Sequence, residues 1–443
     1  MKKTLLISFF TLGVTSAIAQ LAVISEIMAI FFGNEFLVSI VIGFWLIAIG
    51  LGSTVFAKFF SRLNPGKILI FCHSISGLIF LGQIIILRAT KIFLSFNQAS
   101  DLILVCGYLF LTTLPLCLLF GLWFNALTRF ALVNREKEPT GFKKILLWFK
   151  KLFFSEKKVN TISLVNQGYF YEALGLTFGS LIYFLVLFYL DSVSVAFILV
   201  IVNFLVVIIL SDSQKIKIVF GSIVILALVF GSIISFLNSL NYTTIRWLFP
   251  KLEVVKIQKT PNGLLTVVKN QNQFDFYQNS YQLDSIDGGQ SLKALDFALL
   301  YHQKPKNILI IGGGADGSLT EVLKYPVDSV YYLEPNPKLI NLIKTYSTKD
   351  EAIDLVDPRL NIIYDSPKHF IKTTPESFDL AFISLPLPAT VWLNNYYTDE
   401  FFNEIKSKLK PQAVLGVYAF NLPNYHQPEI ENLVVSIDRT LNQ

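Results

Sequence analysis

Asn307-Ile308-Leu309-Ile310-Ile311-Gly312-Gly313-Gly314-Ala315-Asp316-Gly317 is the stretch on which the fold turns. A short apolar run of strand-forming residues passes straight into glycines, and a helix follows through Leu323. Downstream the pattern repeats. A strand at Ser329–Leu333 ends in Glu334, one at 361–364 ends in Asp365, and one at 378–383 ends in Ser384. A helix over 398–410, a strand at 413–420 and a helix at Pro428–Leu441 complete the series. Strands alternating with helices predict a parallel, Rossmann-like sheet with its ligand at the carboxyl ends of the strands.

The residues at those strand ends suit a nucleoside. Gly312, Gly313, Gly314 and Gly317 let the backbone approach a ligand closely, beside Asp316 and the unpaired N–H groups of a helix amino terminus. Glu334 lies 20 residues beyond Gly314, where an acid accepts hydrogen bonds from ribose hydroxyls. Asp365 has the position to accept from an adenine amino group. The plainer reading is that the glycines make tight turns and the acids cap helices. Three strand tips in the right order favour the adenosine-type site.

Ahead of this sheet, strands at 252–258, 264–270 and 274–283 surround Pro261-Asn262-Gly263 and predict a small β-hairpin cap. Ahead of the cap the chain changes class. Of 443 residues 53% are hydrophobic and only 15% charged, with 40 Phe and a mean hydropathy of +0.55. An ordinary soluble domain is about 25% charged. The apolar excess is concentrated in 1–237, where seven stretches are long enough to cross a bilayer: 4–32, 36–60, 67–88, 102–128, 167–190, 192–211 and 216–237. The first begins like a cleavable leader, with Ala17-Ile18-Ala19 before Gln20, but the apolar run continues to Phe32. Cleavage would leave a stub too short to span, so the first helix is read as uncleaved. The domain plan is a helical bundle at 1–238, the cap at 251–285 and the Rossmann-like domain at 286–443.

Lys and Arg at the amino terminus and in the loops that join the spans number sixteen on the amino-terminal side and two, Arg88 and Lys91, on the other. This asymmetry predicts a multi-pass protein of the cytoplasmic membrane with its amino terminus in the cytoplasm. Seven crossings then put the Rossmann-like domain outside, unless 216–237 is an in-plane segment. Gln20, Glu26 and Glu172 are polar groups inside the spans and mark a functional interior or well-bonded packing. Gly175 and Gly179, just after Glu172, favour packing. Residues 135–158 alternate basic and apolar groups like a helix lying on the membrane surface.

Nucleic acid is excluded as a partner by the absence of an aromatic-basic stripe despite the net charge of +6. A metal centre is excluded by histidines without ligand spacing, and a disulfide framework by three cysteines that all lie in apolar runs. The lipid bilayer is the partner the composition implies; a homo-oligomer or a membrane complex stays open.

Ile310 to Pro326, with Leu333-Glu334-Pro335-Asn336-Pro337 and Asp357-Pro358-Arg359-Leu360, resembles the spermidine synthases. Gly33-Asn34-Glu35, the stretch 169–179 and the stretch 394–402 resemble their multi-pass membrane branch. The resemblance implies an aminopropyltransferase that uses decarboxylated S-adenosylmethionine, or a related S-adenosyl nucleoside, as a co-substrate rather than a tightly bound cofactor, with a polyamine or other amine as acceptor. It assigns Gly312, Gly313, Gly314, Gly317, Glu334 and Asp365 to the nucleoside site. The catalytic part departs from the family. Ser384 stands at the position of the family's catalytic Asp, Leu387 at a second acidic position, and Ser291 and Lys293 at positions that hold the diamine. A hydroxyl does not deprotonate an ammonium near neutral pH, and a lysine repels one. Gln282 matches a family substrate position, and Asp316 stands one place after the family's loop Asp. Family members continue for two further strands, so the sheet is expected to be shortened. The alternative is a non-catalytic membrane transport or assembly protein whose Rossmann-like domain binds a ligand or partner.

Overall fold

The computed structural model describes residues 3–93, 102–133, 161–229, 232–271, 273–285, 290–302, 304–314, 316–346, 355–386, 388, 390–418 and 428–442. It divides into two compact units: residues 1–27 with 36–248, and residues 28–35 with 249–443.

The first unit is helical. Its helices are α1 (Lys3–Ile30), α2 (Glu35–Leu51), α3 (Pro65–Arg88), α4 (Leu102–Val133), α5 (Thr161–Val186), α6 (Ser192–Leu210), α7 (Gln214–Val229) and α8 (Ser232–Arg246). Among the described residues six helices are long and apolar enough to cross a membrane, α2 being extended to Phe59 through a π-type turn at Gly52–Phe56. The segment expected as a seventh span, 216–237, falls across α7 and α8, with residues 230 and 231 between them outside the described set. The 135–158 segment also lies outside it.

Small residues set the packing. A methyl at Gly13 would lie 2.1 Å from the Glu172 carbonyl oxygen, and one at Gly175 2.1 Å from that of Phe10. The GxxxG face of α5 therefore meets α1 backbone to backbone. Gly77 of α3 fits against Val200 of α6 in the same way. Buried polar groups then fix the direction of each helix. Ser8 Oγ and Asn203 Oδ1 lie 2.7 and 2.8 Å from the two ring nitrogens of His73, and Asn203 Nδ2 donates to Thr15 at 3.1 Å. At the other end of α3, Arg88 donates through Nε and Nη2 to both oxygens of Glu26, at 2.8 and 2.7 Å. Its Nη1 donates to Asn241 Oδ1 and Thr244 Oγ1, each at 2.8 Å. So α1 runs parallel to α3, and α6 antiparallel to both. The chain leaves α6 at the Lys67 end of α3, and by Asn241 and Thr244 it is at the Arg88 end.

The second unit holds two sheets. The antiparallel cap has the order β1 (Glu253–Thr260), β2 (Gly263–Asn270), β3 (Gln273–Gln278) and β4 (Tyr281–Ser285). The single strand expected over 274–283 is two strands. Asn279 and Ser280 take φ of 50° and 61°, a left-handed turn that reverses the chain into a hairpin. The parallel sheet contains β5 (Asn307–Gly312), β6 (Ser329–Leu333), β7 (Leu360–Ile363), β8 (Phe378–Ser384) and β9 (Leu409–Val417), in the order β7-β6-β5-β8-β9. Apolar side chains of β5 and β8 fill both faces: Ile308, Ile310 and Phe382 on one, Leu309, Ile311 and Ile383 on the other. Helices α9 (Gln290–Tyr301), α10 (Ser318–Leu323), α11 (Pro337–Tyr346), α12 (Pro367–Thr373), α13 (Val391–Asn394), α14 (Asp399–Lys406) and α15 (Pro428–Leu441) accompany the sheet. The strand order reverses between β5 and β8, which opens a crevice at their carboxyl ends.

Candidate functional site

The crevice is a cavity of about 530 Å³ within the second unit. Its floor is Gly312, Gly313 and Gly314. Gly312 and Gly313 adopt φ of 76° and 72°, which side-chain-bearing residues rarely tolerate. A methyl on Gly313 would sit 2.9 Å from Ser384 Oγ, so the Ser384 hydroxyl abuts the glycine loop. Tyr397 holds the chain after β8, its hydroxyl donating to the carbonyls of Leu385 at 2.8 Å and Pro386 at 3.1 Å.

Glu334 closes the next side. It is 9% exposed, and Oε1 accepts from the Asn336 amide at 2.8 Å while Oε2 lies 3.4 Å from the Tyr332 hydroxyl. Asn336 Nδ2 donates in turn to Thr260 Oγ1 at 3.3 Å, tying this corner to the cap. Burial pushes the Glu334 carboxyl up to about 7, against the pull of those two donors. Near neutral pH it therefore exists in both forms, and only the carboxylate accepts hydrogen bonds from two vicinal hydroxyls.

Gly314 locks the corner. A methyl there would lie 2.0 Å from the Tyr332 hydroxyl, the group that bonds Glu334. Gly314→Ala should thus displace Tyr332, destabilise the domain by about 1–3 kcal/mol and disturb the carboxylate. Thermal unfolding at the wild-type temperature would contradict this packing.

The cavity gathers Gly312, Gly313, Gly314, Glu334 and Ser384 from the residues expected in the site. Asp316, Gly317 and Asp365 do not border it. Asp316 is fully buried and accepts from the Ser318 amide at 2.9 Å, as the turn residue that opens α10. Gly317 takes φ of 83° in that turn. Asp365 accepts from the Ser366 amide at 2.7 Å and pairs with His369 Nδ1. The His369 ring holds its carboxyl below the usual range. Both carboxylates thus make the local bonds that cap helix starts.

Of the intramembrane polar groups, Glu26 is paired with Arg88, a residue the charge count had assigned to a loop. Gln20 and Glu172 are partly buried, and the Glu172 carbonyl packs on Gly13. Asn125 Nδ2 donates to the Ser53 carbonyl at 3.0 Å. On the acceptor side, Lys293 is exposed, and Gln282 is exposed with its Oε1 3.5 Å from the Tyr277 hydroxyl. Leu387 lies outside the described residues, and the side chain of Ser291 is not described.

One wall came from an unforeseen place. Met28 near the end of α1, Phe32 and Gly33 in the turn after it and Glu35 at the start of α2 line the cavity together with Trp392, Leu393 and Tyr396. Phe32 meets Tyr281 edge-on at 6.2 Å, and Glu35 Oε1 accepts from the Val391 amide at 3.2 Å.

Residues 293–442 match the family model of the spermine/spermidine synthase domain. The polyamine aminopropyltransferase of Oceanobacillus iheyensis is 28% identical over 171 residues, covering 38% of this chain and 33% of that protein. That of Buchnera aphidicola is 34% identical over 117 residues, covering 26% of this chain and 41% of that protein. The chain thus spans about a third to two fifths of the length of these curated relatives. Among solved structures, a spermidine synthase in complex with the transition-state analogue AdoDATO superposes with a TM-score of 0.38 at 21% identity, over 42% of this chain and 65% of the other. The matched residues contain the parallel sheet, and the part of the chain before them contains, among the described residues, six apolar helices.

Proposed function

We propose that this chain is a membrane-bound aminopropyltransferase that takes decarboxylated S-adenosylmethionine as donor and an amine as acceptor. The observation that carries the reading is the buried Glu334 carboxylate bordering the same cavity as Gly312–Gly314, at the switch point of the sheet. The glycine backbone would take the sulfonium side of the donor and Glu334 the ribose hydroxyls. The names of the relatives, polyamine aminopropyltransferases, agree with this chemistry.

Calorimetric titration of the full-length chain in detergent with the donor tests it. Saturable binding is expected, and Glu334→Ala should weaken it by about 1–3 kcal/mol, the penalty for donors left without an acceptor. No heat with the wild-type chain would sink the reading. The carboxylate also sets a pH dependence. The donor binds the ionised form, so affinity is full above the Glu334 value of about 7 and falls as pH drops through it. Between pH 8 and pH 6 the apparent Kd should rise about tenfold, and that slope should vanish in Glu334→Ala. A pH-independent wild-type Kd would remove Glu334 from the site.

Ser384 beside the glycine loop favours a second reading, in which the domain binds its ligand without turning it over. Release of methylthioadenosine from the donor separates the two.

The bundle is proposed to cross the cytoplasmic membrane seven times, with the amino terminus in the cytoplasm and the second unit outside. Two observations support it. The sixteen-to-two distribution of Lys and Arg orients the bundle, and the Arg88 bonds to Asn241 and Thr244 return the chain after α6 to the end of α3 opposite Lys67.

A further inference from the structure

The acceptor side of the cavity differs from what a free diamine needs. Two ammonium groups in water are best held by carboxylates at both ends of a polar slot. Here the cavity that Ser384 borders is also lined by Met28, Phe32, Leu385, Trp392 and Leu393, and Glu35 is a carboxylate in that lining. Glu334, the other carboxylate bordering the cavity, is the group assigned above to the ribose of the donor.

The turn that supplies this wall is short. α1 ends at Ile30 and α2 begins at Glu35, both in helices long and apolar enough to span a bilayer. A turn between two such spans lies at the membrane–water boundary. Its geometry is fixed: Phe32 and Gly33 take φ of 61° and 80°, the Gly33 amide donates to the Met28 carbonyl at 2.8 Å, and Glu35 accepts from Val391. Phe32 and Trp392 are 47% and 49% exposed, large aromatic surfaces of the kind that sits at lipid headgroup level.

We infer that the acceptor is a primary amine carried on a lipid headgroup, received by the Met28–Glu35 turn, with Glu35 as the group that takes its proton. This rests on the transferase reading above. The ammonium of the headgroup gives one proton to the Glu35 carboxylate, which frees its lone pair. The nitrogen attacks the propyl carbon bonded to the sulfonium of the donor. A C–N bond forms, the C–S bond breaks with its electron pair going to sulfur, and a neutral thioether nucleoside leaves. The product is a secondary ammonium, and Glu35 returns its proton to water. Phe32, Trp392 and Leu393 would cover the apolar part of the lipid.

The test uses the full-length chain reconstituted in two kinds of vesicle, phosphatidylcholine alone and phosphatidylcholine with phosphatidylethanolamine. Each receives decarboxylated S-adenosylmethionine, and the first also receives putrescine in solution. Methylthioadenosine release and lipid mass are both read. The inference expects release only with phosphatidylethanolamine, together with a lipid heavier by one aminopropyl group. Glu35→Gln should lower that rate at least a hundredfold with donor affinity unchanged, and Glu35→Asp should restore part of it. Release with putrescine but no lipid product would overturn the inference and leave the transferase reading standing. Donor binding without release under any condition would overturn both the acceptor and the transfer chemistry. Full lipid turnover by Glu35→Gln would overturn the role of Glu35.

Discussion

Arg88→Met should destabilise the helical unit by about 3–5 kcal/mol, the usual loss when one partner of a buried ion pair is removed. The side chains of Arg88 and Glu26 are 3% and 9% exposed, so neither charge is solvated by water. Three helices meet at this guanidinium: α1 through Glu26, α3 through Arg88 itself, and α8 through Asn241 and Thr244. Removing the arginine strands a carboxylate in an apolar interior and leaves the Asn241 and Thr244 oxygens without their charged donor. Glu26→Gln alone should cost less, because an amide is cheaper to bury than a carboxylate. Combined with Arg88→Met it should recover much of the loss, since the two sites are in contact and their effects are coupled. Thermal unfolding in detergent, followed by tryptophan fluorescence, reads all three variants. An Arg88→Met protein as stable as wild type would mean that water reaches the pair. Strictly additive losses would mean that the two residues act separately.

That pair shows where sequence reading stops. Arg88 ends an apolar run, so a local rule assigns it to a loop on the weakly basic side. The direction of that assignment agrees with the fold, but the pairing with Glu26 is 62 positions away and no periodicity encodes it. The same limit hid the Met28–Glu35 wall. Hydrophobic pattern identifies two spans and a short turn, and says nothing of Tyr281 and Val391, which lie about 250 and 360 positions further on. Local signals were reliable where the chemistry is local. The β5–Gly312 junction, the Ser329–Leu333 strand and the Pro428–Leu441 helix stand where strand runs, glycines and helical spacing put them. One misreading was legible in principle: Asn279-Ser280 is a turn pair inside an alternating strand. The Asp365–His369 pair was legible as well, since the two stand four apart at the start of a helix.

Single cysteines placed in the second unit should react with an impermeant thiol reagent in intact cells, or in spheroplasts where an outer envelope intervenes. Tyr301 and Val356, 83% and 70% exposed, are suitable positions in a chain whose Cys72, Cys106 and Cys117 have been replaced by serine. A cysteine at Arg62, beside the Lys67 end of α3, should stay protected until lysis. The expected labelling does not rest on counting apolar windows, which recognises six helices among the described residues and passes over α7 and α8. It depends on directions fixed by buried bonds: Ser8 beside His73, Glu26 beside Arg88, and Asn203 returning to His73 from the far side of α6. A chain that descends through α6 and reaches Arg88 again by Asn241 has to climb once more. Protection of both second-unit cysteines until lysis would break this chain of directions and turn the charge rule upside down. Labelling has a consequence for chemistry as well. An outward-facing site draws its donor from outside, so spheroplasts given decarboxylated S-adenosylmethionine should form the aminopropylated lipid without being lysed, and Glu35→Gln should abolish that product at equal surface labelling.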